Sequence, residues 1–116
     1  VHEGPQRISK RGGDVALATG MVVSNEPGYY KTGAYGIRIE NLVTVVESAP
    51  GEGGRPYLEF ATLTCAPIDT ALVNPSMLTA AEKAWLNGYH AWVLSELKAG
   101  LGVDEAAWLT RKCLSV

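Results

Sequence analysis

The chain has 116 residues, 47% hydrophobic and 19% charged, with 10 Lys plus Arg against 12 Asp plus Glu for a net charge of −2. At this length folding buries roughly two-thirds of the accessible surface, so disorder, collagen-like repeats and a disulfide-dependent scaffold are excluded. With a pI near 5.6 and no basic run beyond Lys10-Arg11, nothing concentrates phosphate backbones or spans a membrane, and neither nucleic acid nor membrane is expected as a partner.

The opening Val1-His2-Glu3-Gly4-Pro5 starts no strand or helix of its own, and the chain reads as a piece of something longer. Residues 1 to 20 are punctuated by Gly4, Pro5, Gly12, Gly13 and Gly20, which predicts loop with a short strand near Ile8. Met21 to Glu26 is β-branched and stopped by Pro27-Gly28, so a strand ending at Glu26 is expected. Tyr29 to Gly36 reads as a connecting loop, and Ile37 to Val46 as one long strand pairing antiparallel with the first.

Pro50 to Pro56 is turn by composition, and Tyr57 to Thr64 is a third strand with Leu58, Phe60 and Thr62 on one face. After Pro67 the period changes. Thr79-Ala80-Ala81-Glu82 is a capping-box sequence, and Trp85, Leu86, Tyr89, Trp92, Val93 and Leu97 then recur at helical spacing up to Gly100. A helix over residues 80 to 98 is predicted, followed by a shorter one capped by Asp104 with Ala106, Leu109 and Cys113 on one face. Cys65 and Cys113 form no CxxC pair and have no histidine at zinc spacing, so they read as reduced core thiols of a cytoplasmic protein.

The residues with chemistry to offer are acids embedded in apolar strands. Glu26 closes one strand and Glu40 interrupts another. An ionised carboxylate taken out of water needs a cation, a donor or solvent. If the strands pair, the two acids fall opposite one another on one face, where like charges repel unless something positive sits between them. A divalent metal would serve. So would Arg38, which shares the face of Glu40 by the two-residue period, and wet strand ends would serve as well. His2 titrates near neutral pH and so can exchange protons, although a histidine in a terminal loop is commonly a plain surface group. His90 is expected on the helix surface or at an interface, and the Trp85, Tyr89, Trp92 stripe in a core or an interface.

Three strings, His2-Glu3-Gly4-Pro5, Asn25-Glu26-Pro27-Gly28-Tyr29-Tyr30 and Gly36-Ile37-Arg38-Ile39-Glu40-Asn41, resemble in that order the closing third of the pita-bread metallopeptidases. This class includes aminopeptidase P, prolidase and methionine aminopeptidase. Leu58 to Pro67 followed by Leu78 to His90 resembles the helical extension of the large cytosolic-type aminopeptidase P, and the likeness covers essentially all 116 residues. It implies an α+β fold, the second half of a pita bread, with antiparallel strands over residues 1–75 and a C-terminal helical extension over 76–116.

The same resemblance implies an enzyme that removes an N-terminal residue preceding proline, with a dinuclear centre of two divalent ions, usually manganese. Glu26 then matches a metal-ligating glutamate that also takes a proton from the shared hydroxide, and Glu40 the carboxylate bridging both metals. His2 matches a histidine that holds substrate and supports the transition state, while Tyr30 and Arg38 fall around the bridging glutamate and the substrate cleft. The family site also needs two aspartates and a histidine upstream of the first string, which here begins at residue 2, so these residues alone are expected to bind metal weakly and to be inactive. The partners implied are a peptide with proline second and, through the C-terminal helices, a second copy. The alternative is a non-catalytic pita-bread binding module, a type that also exists, with the helices serving dimerisation.

Overall fold

A computed structural model describes residues 4–116, and His2 lies outside the described residues. The chain divides into two compact units, Val1–Thr64 and Cys65–Val116.

The first unit is antiparallel β-structure. Strand β1 (Val22–Asn25) pairs with β4 (Asn41–Glu47), and β4 pairs with β5 (Leu58–Thr62) to complete a sheet of order β1-β4-β5. Strands β2 (Gly28–Lys31) and β3 (Tyr35–Arg38) form a separate two-stranded ribbon. Among the described residues of the unit Val23, Val43 and Val45 are the buried apolar side chains, and the register sets Val23 opposite Val43, so both strands send the same alternation inward. Phe60 faces Val45 from the edge strand and stays exposed on its outer side.

Two expectations are corrected here. Residues 37 to 46 are not one strand, because Ile39 and Glu40 fall between β3 and β4, and the expected loop over 29 to 36 is a β-hairpin. The cause is Pro27. The register runs unbroken through the gap, Asn25 with Asn41 on one side and Gly28 with Arg38 on the other. Pro27 lacks the amide hydrogen needed to keep the ladder continuous, although its carbonyl still accepts from the Ile39 N–H at 3.2 Å. The hairpin closes through Thr32-Gly33-Ala34, with Gly33 at φ +69 and the Ala34 N–H donating to the Lys31 carbonyl at 3.0 Å. No strand forms near Ile8, whose glycine-rich surroundings offer no pairing partner.

The second unit is helical. Helix α1 (Ala80–Leu97) starts at a complete capping box: the Thr79 hydroxyl accepts from the Glu82 N–H at 3.2 Å, and Glu82 Oε2 accepts from the Thr79 N–H at 2.8 Å. Helix α2 (Val103–Lys112) begins at Gly102, so Asp104 sits in the first turn and is not the cap; there its charge still favours the amide end of the helix. Tyr89, Val93 and Leu109 form the core, with Cys65, Ile68, Trp92 and Cys113 packed against it. Both cysteines are free thiols, and burial, with Cys65 nearby, pushes the Cys113 thiol up from its ordinary value.

His90 is not a surface residue: it is fully buried, with Nε2 accepting from the Ile68 N–H at 3.1 Å. That bond satisfies Nε2, while the buried Nδ1 has no hydrogen-bond partner among the described residues. The Tyr89 hydroxyl donates to the Ala66 carbonyl at 2.8 Å, and Lys112 Nζ lies 3.6 Å from Asp69 Oδ1. These ties fasten residues 66 to 69 to the helices, which is why the second compact unit begins at Cys65.

Candidate metal and substrate site

The site is built where the proline interrupts the ribbon. Because the register is continuous, Glu26 falls opposite Glu40, one step beyond the Asn25–Asn41 pair and one before Pro27 and Ile39. Two carboxylates so placed repel, and the described structure answers with Arg38, on the same face two residues before Glu40. Arg38 Nη1 lies 3.1 Å from Glu26 Oε2 and 3.6 Å from Glu40 Oε2. The side chains are 44%, 27% and 39% exposed for Arg38, Glu26 and Glu40, so the cluster sits at the solvent boundary rather than in a dry interior.

Tyr30 fixes the arginine from the other side. The Arg38 Nε donates to the Tyr30 hydroxyl at 2.8 Å, and the guanidinium carbon lies 5.8 Å from the ring centroid. The hydroxyl first, and then the charges of Glu26 and Glu40, hold the guanidinium more firmly protonated than an ordinary arginine. The ring reaches Arg38 by crossing two glycines. A Cβ on Gly36 would lie 2.6 Å from Tyr30 Cδ1, and one on Gly28 would lie 2.7 Å from the Tyr30 hydroxyl. Both glycines are therefore required by close approach, since neither has a positive φ.

Sequence reasoning missed Ser24. It is buried in β1, and its hydroxyl donates to Glu26 Oε1 at 2.7 Å. The signal was available, since a serine in an apolar strand two residues before an acid shares that acid's face. The role of Gly28 and Gly36 as a cradle was not legible, because it depends on the rotamer of a side chain across the ribbon. Glu26, Glu40, Arg38 and Tyr30 are brought together, whereas His2 lies outside the described residues.

The donor chemistry fits a share of a divalent metal site. Hard carboxylate oxygens suit a manganese-like ion, and the two acids already converge on the Arg38 guanidinium. Among the described residues no group of three or more His, Cys, Asp or Glu gathers at one point, so Glu26 and Glu40 would supply only part of a ligand set.

Comparison with known proteins gives the class. Residues 1–47 match the metallopeptidase family M24, and residues 56–116 match the C-terminal region of peptidase M24. The chain belongs to this metallopeptidase family, and its α+β architecture is the pita-bread type expected from sequence. Within the family it is similar to aminopeptidase P: it is 48% identical to a probable Xaa-Pro aminopeptidase P of Coprinopsis cinerea over 97% of this chain and 19% of that protein. Identity to aminopeptidase P2 of Arabidopsis thaliana is 50% over 94% of this chain and 16% of that protein.

A solved X-prolyl aminopeptidase from Caenorhabditis elegans, described as a cytosolic enzyme with a di-nuclear active site, superposes with a TM-score of 0.87 at 40% identity, covering all of this chain and 20% of that one. The chain thus spans about a fifth of the length of the curated relatives it matches.

Proposed function

We propose that these residues form the closing part of a metal-dependent aminopeptidase that hydrolyses the bond between an N-terminal residue and a following proline. The observation that carries the reading is the convergence of Glu26 and Glu40 on one cation at the break in the ribbon, in a chain of this metallopeptidase family. Glu26 and Glu40 hold the metals, and Glu26 also accepts the proton that the attacking water gives up. Two bound divalent ions, manganese in this proposal, supply a nucleophile at neutral pH and polarise the scissile carbonyl. Arg38 fixes the orientation of both carboxylates, Tyr30 holds Arg38 at the edge of the substrate cleft, and His2 positions the substrate and steadies its developing charge.

Two aspartates and a histidine from elsewhere in the full-length protein complete the ligand set, so these 116 residues alone do not turn over substrate. The whole protein is a cytoplasmic homodimer joined through its C-terminal helices, acting on peptides with proline second and with no nucleic-acid or membrane partner. Among the described residues no helix is long and apolar enough to cross a membrane.

The test is hydrolysis of an Xaa-Pro peptide by the full-length protein. Turnover that disappears with a chelator, returns with manganese and is absent in Glu40→Gln is the expected result. Turnover that survives both chelation and Glu40→Gln overturns the proposal.

A further inference from the structure

Ser24 is 8% exposed and sits in β1 between Val23 and Asn25, opposite Leu42. Its backbone belongs to the β1–β4 ladder, so the strand does not need its hydroxyl. That hydroxyl nonetheless donates to Glu26 Oε1 at 2.7 Å, while Arg38 Nη1 donates to Glu26 Oε2 at 3.1 Å. The two oxygens of one carboxylate therefore have different partners on different sides, a strand hydroxyl toward the sheet and the arginine toward Glu40. A carboxylate on a strand end rotates freely about its last torsion unless something distinguishes its oxygens. Here the short bond from the buried Ser24 hydroxyl at Oε1, with Arg38 at Oε2, does so.

We propose that Ser24 is a positioning residue for Glu26, orienting the carboxylate so that Oε2 faces the space shared with Glu40, where the reading above puts metal. The inference rests on that reading for the identity of the ligand; the orientation rests on the Ser24 hydroxyl at Oε1 acting together with Arg38 at Oε2. Partners of this kind behind a metal ligand commonly carry a 10- to 100-fold effect on metal affinity or activity.

The experiment compares Ser24→Ala, Ser24→Thr and Ser24→Val in the full-length protein, measuring manganese binding by calorimetry, turnover of an Xaa-Pro peptide at saturating manganese, and thermal melting. Thr and Val share a shape and differ only in the hydroxyl, so their comparison stands even if alanine disturbs the sheet. Expected are manganese binding weaker by about 10- to 100-fold in the Ala and Val variants, a fall in kcat with KM little changed, and recovery of both in Ser24→Thr. The proposal is overturned if Val and Thr bind manganese alike, or if Ser24→Thr is as impaired as Ser24→Ala. A wild-type protein that binds manganese but cleaves no Xaa-Pro peptide overturns the proposed activity; the same Ser24-dependent loss of manganese binding would still support the positioning role.

Discussion

Glu26 and Glu40 fall opposite one another in register and share Arg38 Nη1, which lies 3.1 Å from one carboxylate and 3.6 Å from the other. The arginine owes its position to the Tyr30 hydroxyl, and Tyr30 owes its own to two glycines. The site is thus a relay of positions running along one face of the ribbon, and each member offers a measurement.

Replacing Arg38 by lysine keeps the charge and loses the fork. An ammonium cannot bond Tyr30 through one nitrogen while directing another at the glutamates. In the full-length enzyme Arg38→Lys is expected to lower kcat/KM of Xaa-Pro hydrolysis by about 10- to 100-fold. Wild-type kinetics in Arg38→Lys would show that charge alone suffices.

Gly36→Ala puts a methyl group 2.6 Å from Tyr30 Cδ1, a distance at which the ring has to move and leave Arg38. Loss of kcat/KM by about tenfold is expected, and the same substitution made in a Tyr30→Ala background should add little. A double-mutant cycle checks the coupling, since residues acting through one contact are not additive. Additive losses would mean that the glycine serves the backbone and not the ring.

The capping box predicts the acid behaviour of the second unit. Glu82, bonded by the Thr79 amide and then by its hydroxyl, titrates below its ordinary value of 4.5. A folded value below the unfolded one means the stabilisation is present in full above the unfolded value and is lost as pH falls through the folded one. Thermal melting of Glu82→Gln should therefore lie below wild type at pH 7 and converge with it as the pH falls through the lowered folded-state value, a pattern that calorimetry at a series of pH values would read directly. A gap that stays constant with pH would rule out the linkage.

Leu109 is 1% exposed in the core formed with Tyr89 and Val93. Leu109→Ala should cost about 2–5 kcal/mol by lost burial and the cavity left behind, measured by denaturant unfolding. Tyr89→Phe removes the 2.8 Å bond to the Ala66 carbonyl and should cost about 1 kcal/mol.

Trp85 stacks on Tyr89, with ring centroids 5.5 Å apart, yet is 56% exposed. An exposed aromatic on a helix is suited to an interface. In the full-length protein Trp85→Ala is expected to convert dimer to monomer in light scattering with helix content unchanged; a persistent dimer would place the contact elsewhere.

The helices and their cap were legible from sequence because a 3.6-residue period and a Thr-x-x-Glu string are local: the residues that make them are neighbours along the chain. The β-branched runs around Val22 and Val43 were legible for the same reason. The acids were visible as anomalies, since Glu26 and Glu40 stand beside or within apolar runs of the sequence. What sequence by itself determined was therefore the helices, the β-branched runs, the unusual carboxylates and, by resemblance, the family.

Tertiary structure decided the rest. It turned an expected loop into the β2–β3 hairpin, because hairpin pairing is set by register and by one positive-φ glycine and not by the apolar content of Tyr29 to Gly36. It buried His90, whose Nε2 accepts from the amide of Ile68, 22 residues away. It joined Ser24, Glu26, Arg38 and Tyr30 into one connected face, because hydrogen bonds between strands depend on which rotamers converge across the ribbon, and no period along the chain records that.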